Sequence, residues 1–123
     1  MHRSRLAGFI IDCKTDDLEA AGRFWSAALG LPVIGVDGNG YLRLDGSSRD
    51  QVVEVQKVTH DSRVHLDIES DDVEAEVARL QKLGAKRVAD IKTWVVLEAP
   101  TGQRFCVVRA KTPLEGKPGV QSW

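Results

Sequence analysis

The stretch Ile10-Ile11-Asp12-Cys13-Lys14-Thr15-Asp16-Asp17-Leu18-Glu19-Ala20 has a counterpart in His65-Leu66-Asp67-Ile68-Glu69-Ser70-Asp71-Asp72-Val73-Glu74-Ala75, 55 positions further on (10 to 65). In each copy an alternating run leads to an Asp-Asp pair and then to apolar residues at helical spacing. Alternation marks a strand with one buried face, because successive side chains point to opposite sides. An aspartate just before a helical pattern caps it, its carboxylate accepting from an orphan backbone N–H. Each copy therefore reads as strand, cap and helix.

The pattern continues on both sides of these copies. Leu6 to Lys14 is the first strand, and Leu18, Ala21, Phe24, Trp25, Ala28 and Leu29 form the stripe of the first helix. Trp25, beside Phe24, reads as core. Gly30 stops the helix and Pro32 follows it. Three β runs come next, Pro32 to Val36, Tyr41 to Asp45 and Gln51 to Val58, separated by Asp37-Gly38-Asn39-Gly40 and Gly46-Ser47-Ser48. Such clusters favour tight reversals. Val64 to Ile68 is a fifth strand. The second helix carries Val73, Val77, Leu80 and Leu83 and ends at Gly84. Lys86 to Val88, Thr93 to Glu98 and Gln103 to Arg109 close the pattern. Leu29-Gly30 returns as Leu83-Gly84, and Tyr41 and Leu44 as Trp94 and Leu97. The chain is thus β-α-β-β-β written twice, too few copies for a solenoid. The expectation is one α+β domain over 1–110, made of modules at about 6–58 and 62–110, with a tail at 111–123. The tail's prolines and glycines read as loose.

Composition narrows the function classes. Lys and Arg number 17 against 18 Asp and Glu, a formal net charge of −1. That balance offers no electrostatic footprint for nucleic acid or a membrane surface. No apolar run approaches the ~20 residues that span a bilayer. The basic start, Met1 to Leu6, reads as leading into a strand and not as a signal peptide. Cys13 and Cys106 then read as reduced thiols of a cytoplasmic protein.

Strand alternation sorts the remaining chemistry. Val64, Leu66 and Ile68, Val53 and Val55, and Phe105 and Val107 are assigned to the helix side. Asp12, Glu54, Gln56, His65, Asp67 and Cys106 then share the opposite face, where a curved sheet would gather them into one concavity suited to a small molecule. Each has a plain structural reading as well. His65 is either a metal ligand or a hydrogen-bonded sheet histidine. Glu54 and Gln56 are either site groups or a solvated face. Asp12 and Asp67 are either ligand contacts or strand-end residues paired with Lys14 or Arg63. Cys106 is either a soft ligand or a small hydrophobe. Tyr41 and Trp94, equivalent in the repeat, can stack on a flat ligand or simply favour strands. No phosphate-binding glycine loop and no Ser or Cys nucleophile motif is present.

Several of these features together resemble the vicinal oxygen chelate superfamily, in its glyoxalase-like, bleomycin-resistance and dioxygenase group. They are the duplicated module, Phe24-Trp25 before Ala28-Leu29-Gly30, His65-Leu66-Asp67 before Asp71-Asp72, and Ala99-Pro100-Thr101-Gly102-Gln103-Arg104-Phe105. The last is similar to the group's Asp-Pro-x-Gly-Asn-x-Phe signature, with Ala99 for Asp and Gln103 for Asn. The resemblance implies a cup-shaped mixed sheet with helices on its outer face, often in homodimers. It also implies that metal-dependent members hold Mn, Fe, Ni or Zn through His and Glu at four strand positions. Carried over, those positions are Ile10, Glu54 or Gln56, His65 and Cys106. Ile10 offers no donor, which points to a metal-free small-molecule-binding protein with a degenerate metal site. Asp12, Tyr41, Gln56, Asp67, Trp94 and Cys106 would contact the ligand. The alternative is a metal-dependent lyase or isomerase of the glyoxalase type, with Glu54 and His65 catalytic and His65 and Gln56 on the metal.

Overall fold

The computed structural model describes residues 1–123. In chain order the elements are β1 (Arg3–Lys14), α1 (Leu18–Leu29), β2 (Val33–Val36), β3 (Tyr41–Leu44), β4 (Val52–Val58), β5 (Arg63–Ser70), α2 (Val73–Lys82), β6 (Lys86–Ile91), β7 (Trp94–Glu98), β8 (Arg104–Arg109) and β9 (Gln121–Ser122). The fold is mixed α+β and repeats strand, helix and three strands. The chain divides into two compact units, Gly8–His65 and a second made of Met1–Ala7 with Leu66–Trp123.

In the first unit the strand order is β2-β3-β4-β1. Strands β2, β3 and β4 run antiparallel, and β1 lies parallel to β4. Asp17 caps α1 by accepting from Ala20 N at 2.9 Å. Gly30 ends the helix at φ 69°, a left-handed conformation that glycine adopts without a Cβ penalty. Helix α1 lays Leu18, Ala21 and Trp25 on Leu42, Leu44, Val53 and Val55, all four of them buried. The apolar stripe of α1 is not all core. Phe24 is 63% exposed and meets Trp25 edge-on at 5.1 Å, and Leu29 is exposed too.

In the second unit the order is β5-β8-β7-β6, with β5 parallel to β8. Asp72 caps α2 by accepting from Ala75 N at 3.0 Å. Val73, Val77 and Leu80 pack on Val95, Leu97 and Val107, with Ile68 and Phe105 at the margin. The expectation that Val64 and Leu66 lie under a helix is corrected: they are 58% and 44% exposed. Helix α2 is only ten residues long. It covers β7 and β8 and, on β5, reaches no further back than Ile68.

Residues 111–123 are packed, contrary to the loose reading. Leu114 is buried, and β9 pairs antiparallel with β1 at Arg3–Ser122 and Ser4–Gln121. The Trp123 indole Nε1 donates to Ser4 Oγ at 2.9 Å, and its ring lies 3.7 Å from the Arg79 guanidinium. Beneath these sits Glu76, fully buried. It accepts twice from Arg79 at 2.8 Å, once from Ser4 Oγ at 2.7 Å, and pairs with His2 Nε2 at 2.8 Å. The prolines and glycines keep residues 111–119 out of helix and strand, but they do not forbid docking.

Candidate functional site

Register carries side chains across the first unit in rows. On the face away from α1, Gly35 pairs with Arg43, Arg43 with Glu54, and Glu54 with Ile10. The neighbouring row runs Tyr41, Gln56, Asp12. This separates two residues that alternation alone leaves equivalent: Glu54 stands beside Ile10 and Gln56 beside Asp12.

Gly35, Arg43 and Glu54 of the first row line a concavity of about 220 Å³ together with Ile34, Val36, Asp37 and Tyr41, and Ile10 lies outside that lining. Two backbone features open it. The pairing of β2 with β3 shifts between Val33 and Gly35, so Ile34 bulges out of register. Gly35, opposite Arg43, has no side chain, and a Cβ built there meets nothing within 4 Å. The walls are apolar, with Ile34 and Val36 each 57% exposed. The floor is charged: Arg43 Nε stands 3.9 Å from Glu54 Oε2. Asp37 at the rim accepts from the backbone N–H of Asn39 and Tyr41 at 2.9 and 3.1 Å, which fixes the β2–β3 turn.

Asp12 and His65 form a second feature of the same unit. Asp12 is 2% exposed, and its Oδ2 lies 2.7 Å from His65 Nδ1 and 3.8 Å from Arg63 Nε. An ionised carboxylate only accepts, so Nδ1 carries the hydrogen of that bond. Asp12 is thus placed behind His65 as its support. Its Oδ1 is buried without a hydrogen-bond partner.

In the second unit Asp67 is the register partner of Cys106 across β5 and β8, and Cys106 is buried. His65 precedes Asp67 by two positions on β5, so the two share a face. Trp94 lines a different concavity, about 460 Å³, made wholly within the second unit with Asp72, Arg87, Lys92, Thr93 and Arg109. Tyr41 and Trp94, equivalent in the repeat, therefore line separate hollows.

Of the expected site residues, Tyr41 and Glu54 line the first concavity, and Asp12, Gln56 and His65 are not in its lining. Sequence reasoning passed over Arg43 and Gly35. The signal for Arg43 was available, since it alternates with Tyr41 on β3. The signal for Gly35 was not, because its pairing with Arg43 depends on the bulge at Ile34.

A family model for a glyoxalase-like domain matches residues 8–108. The chain belongs to the glyoxalase-like domain family. No curated protein matches it in sequence. Among solved structures, this glyoxalase-like chain is similar to three proteins in particular. The first is a glyoxalase/bleomycin resistance protein/dioxygenase superfamily member from Vibrio splendidus 12B01 (TM-score 0.57, 14% identity, 85% of this chain and 97% of that one). The second is methylmalonyl-CoA epimerase from Mycobacterium tuberculosis (0.65, 14%, 92% and 92%). The third is the Mn(II)-bound glyoxalase from Novosphingobium aromaticivorans (0.63, 20%, 94% and 44%). At these identities the likeness establishes the fold.

The positions that the resemblance implies for metal donors differ in this glyoxalase-like chain from the His and Glu set of a metal-dependent member. Ile10 is a hydrocarbon, 2% exposed, standing directly beside Glu54. The remaining carried-over positions, Glu54 or Gln56, His65 and Cys106, mix hard oxygen, imidazole and thiol.

Proposed function

We propose that this glyoxalase-like protein binds a small molecule on the sheet face away from α1, with a degenerate metal site. The observation that carries the reading is the row Gly35–Arg43–Glu54–Ile10. A charged pair in an apolar-walled hollow, and a hydrocarbon at the position that the resemblance implies for the first metal donor, support the reading. Small-molecule sites are concave and mostly apolar, with a few placed polar groups. Tyr41 supplies a flat amphipathic wall.

The test is ligand-observed NMR with a fragment set, on wild type and Gly35→Val. Valine suits a strand, and its side chain enters open space, so the fold is retained while the hollow is filled. Fragments should bind wild type and weaken at least tenfold in Gly35→Val, with the melting temperature unchanged. Equal binding to both proteins, or no binding to either, would sink the reading.

A metal-dependent lyase or isomerase is the second reading, and one observation favours it. Metal-ligating histidines commonly donate their other ring N–H to a carboxylate, as His65 does to Asp12. Elemental analysis after incubation with Mn, Ni, Co and Zn decides between the two. Well under one metal per chain, unchanged in His65→Ala, is expected. About one per chain, lost in His65→Ala, would establish the second reading instead.

A further inference from the structure

We propose that the hollow over β2, β3 and β4 takes a small zwitterion, a molecule of the α-amino acid class carrying an ammonium, a carboxylate and an apolar body. This rests on the small-molecule reading above and names the ligand's class. The argument begins with the Arg43–Glu54 pair. Three arginine–carboxylate pairs of the protein close to hydrogen-bond contact, Arg79–Glu76 at 2.8 Å, Arg87–Glu74 at 2.9 Å and Arg5–Glu69 at 2.7 Å, whereas Arg63 and Asp12 stay 3.8 Å apart. Arg43 and Glu54 are direct cross-strand partners, yet they stand at 3.9 Å, too far for a hydrogen bond. The guanidinium is half exposed and turned to the hollow, with its planar set of donors suited to a carboxylate.

A simple anion would meet Glu54 and Asp37 in the same lining, and a simple cation would meet Arg43. A molecule with both charges complements both signs in the lining. Its carboxylate sits on Arg43, and its ammonium sits on the acidic side, where the two carboxylates outnumber the one guanidinium. The apolar body then lies against Ile34, Val36 and Tyr41. Size agrees. The hollow, about 220 Å³, is below the roughly 300–1,000 Å³ of drug-sized sites. The missing side chain of Gly35, directly opposite Arg43, supplies the room beside the guanidinium.

Isothermal titration with L-leucine, L-phenylalanine, 4-methylpentanoate and 3-methylbutylamine tests this. The last two each keep one of the two charges of leucine on a similar body. At least one amino acid should bind ten times more tightly than either single-charge probe. Arg43→Gln should bring it down to the affinity of the amine, Glu54→Gln to that of the acid, and Gly35→Val should remove binding. A single-charge probe binding as well as leucine would overturn the proposal. So would binding that survives Arg43→Gln. If fragments bind in a Gly35→Val-sensitive way while neither amino acid does, the class is wrong and the small-molecule reading stands. If nothing at all binds, both fall.

Discussion

Glu76→Ala is expected to destabilise the protein by about 3–5 kcal/mol, the range for breaking a buried ion pair by removing one partner. Glu76 is fully buried and gathers four hydrogen bonds from three residues, Arg79, His2 and Ser4. Alanine would leave the Arg79 guanidinium under the Trp123 ring with its carboxylate gone, and Ser4 and His2 without their shared acceptor. The docking of residues 111–123 should loosen with it. Urea unfolding reads the stability, and amide hydrogen exchange at Gln121 to Trp123 reads the docking. A loss under about 1 kcal/mol would show that the network contributes little.

The same carboxylate sets an acid limit. Burial alone would raise its pKa, but hydrogen bonds from Arg79, His2 and Ser4 outweigh that and hold it at about 2, against 4.5 unperturbed. The folded value is depressed, so the contribution is fully present above about pH 4.5 and is lost as pH falls through about 2. At 1.36 kcal/mol per unit it amounts to about 3 kcal/mol. Urea midpoints of wild type and Glu76→Gln should therefore converge between pH 4.5 and 2. Curves that stay parallel across that window would contradict the assignment.

Gly8→Ala is expected to cost about 3 kcal/mol or more. Gly8 pairs with Val52 where β1 lies against β4. A Cβ at Gly8 would stand 1.8 Å from Val52 O and 2.6 Å from Val52 N. These are backbone atoms of the neighbouring strand, so no rotamer change relieves the clash and the strands must part. Ordinary overpacking costs about 1–3 kcal/mol, and a backbone obstacle belongs at or above the top of that range. Thermal unfolding should show the loss, and faster amide exchange in Val52 to Val55 should locate it. Gly35→Ala is the control, since its Cβ meets nothing. If Gly8→Ala and Gly35→Ala melt alike, the β1–β4 pairing is not as described.

Local chemistry was legible because it is written locally. Asp17 and Asp72 cap the helices that their positions announce, and alternation on β4 put Val53 and Val55 inward and Glu54 and Gln56 outward. Alternation could not say how far a helix reaches, so Val64 and Leu66 were misplaced: their pattern is that of a covered strand, but α2 stops short of them. The tail was misread for a related reason. Its anchors, Ser4, Glu76 and Arg79, lie far away in sequence, and nothing within 111–123 reveals them.

By itself the sequence determined the duplicated strand–helix–three-strand order, the helix caps and the faces of the strands. All of these follow from the periodicity and chemistry of residues within one element. The tertiary structure alone decided that Glu54 stands beside Ile10 and Gln56 beside Asp12, and that Asp12 supports His65. It alone opened a hollow between Gly35 and Arg43, and fastened the tail over Glu76. Those outcomes depend on register and on contacts between distant segments. A shift of one residue would carry every side chain of a strand to its other face.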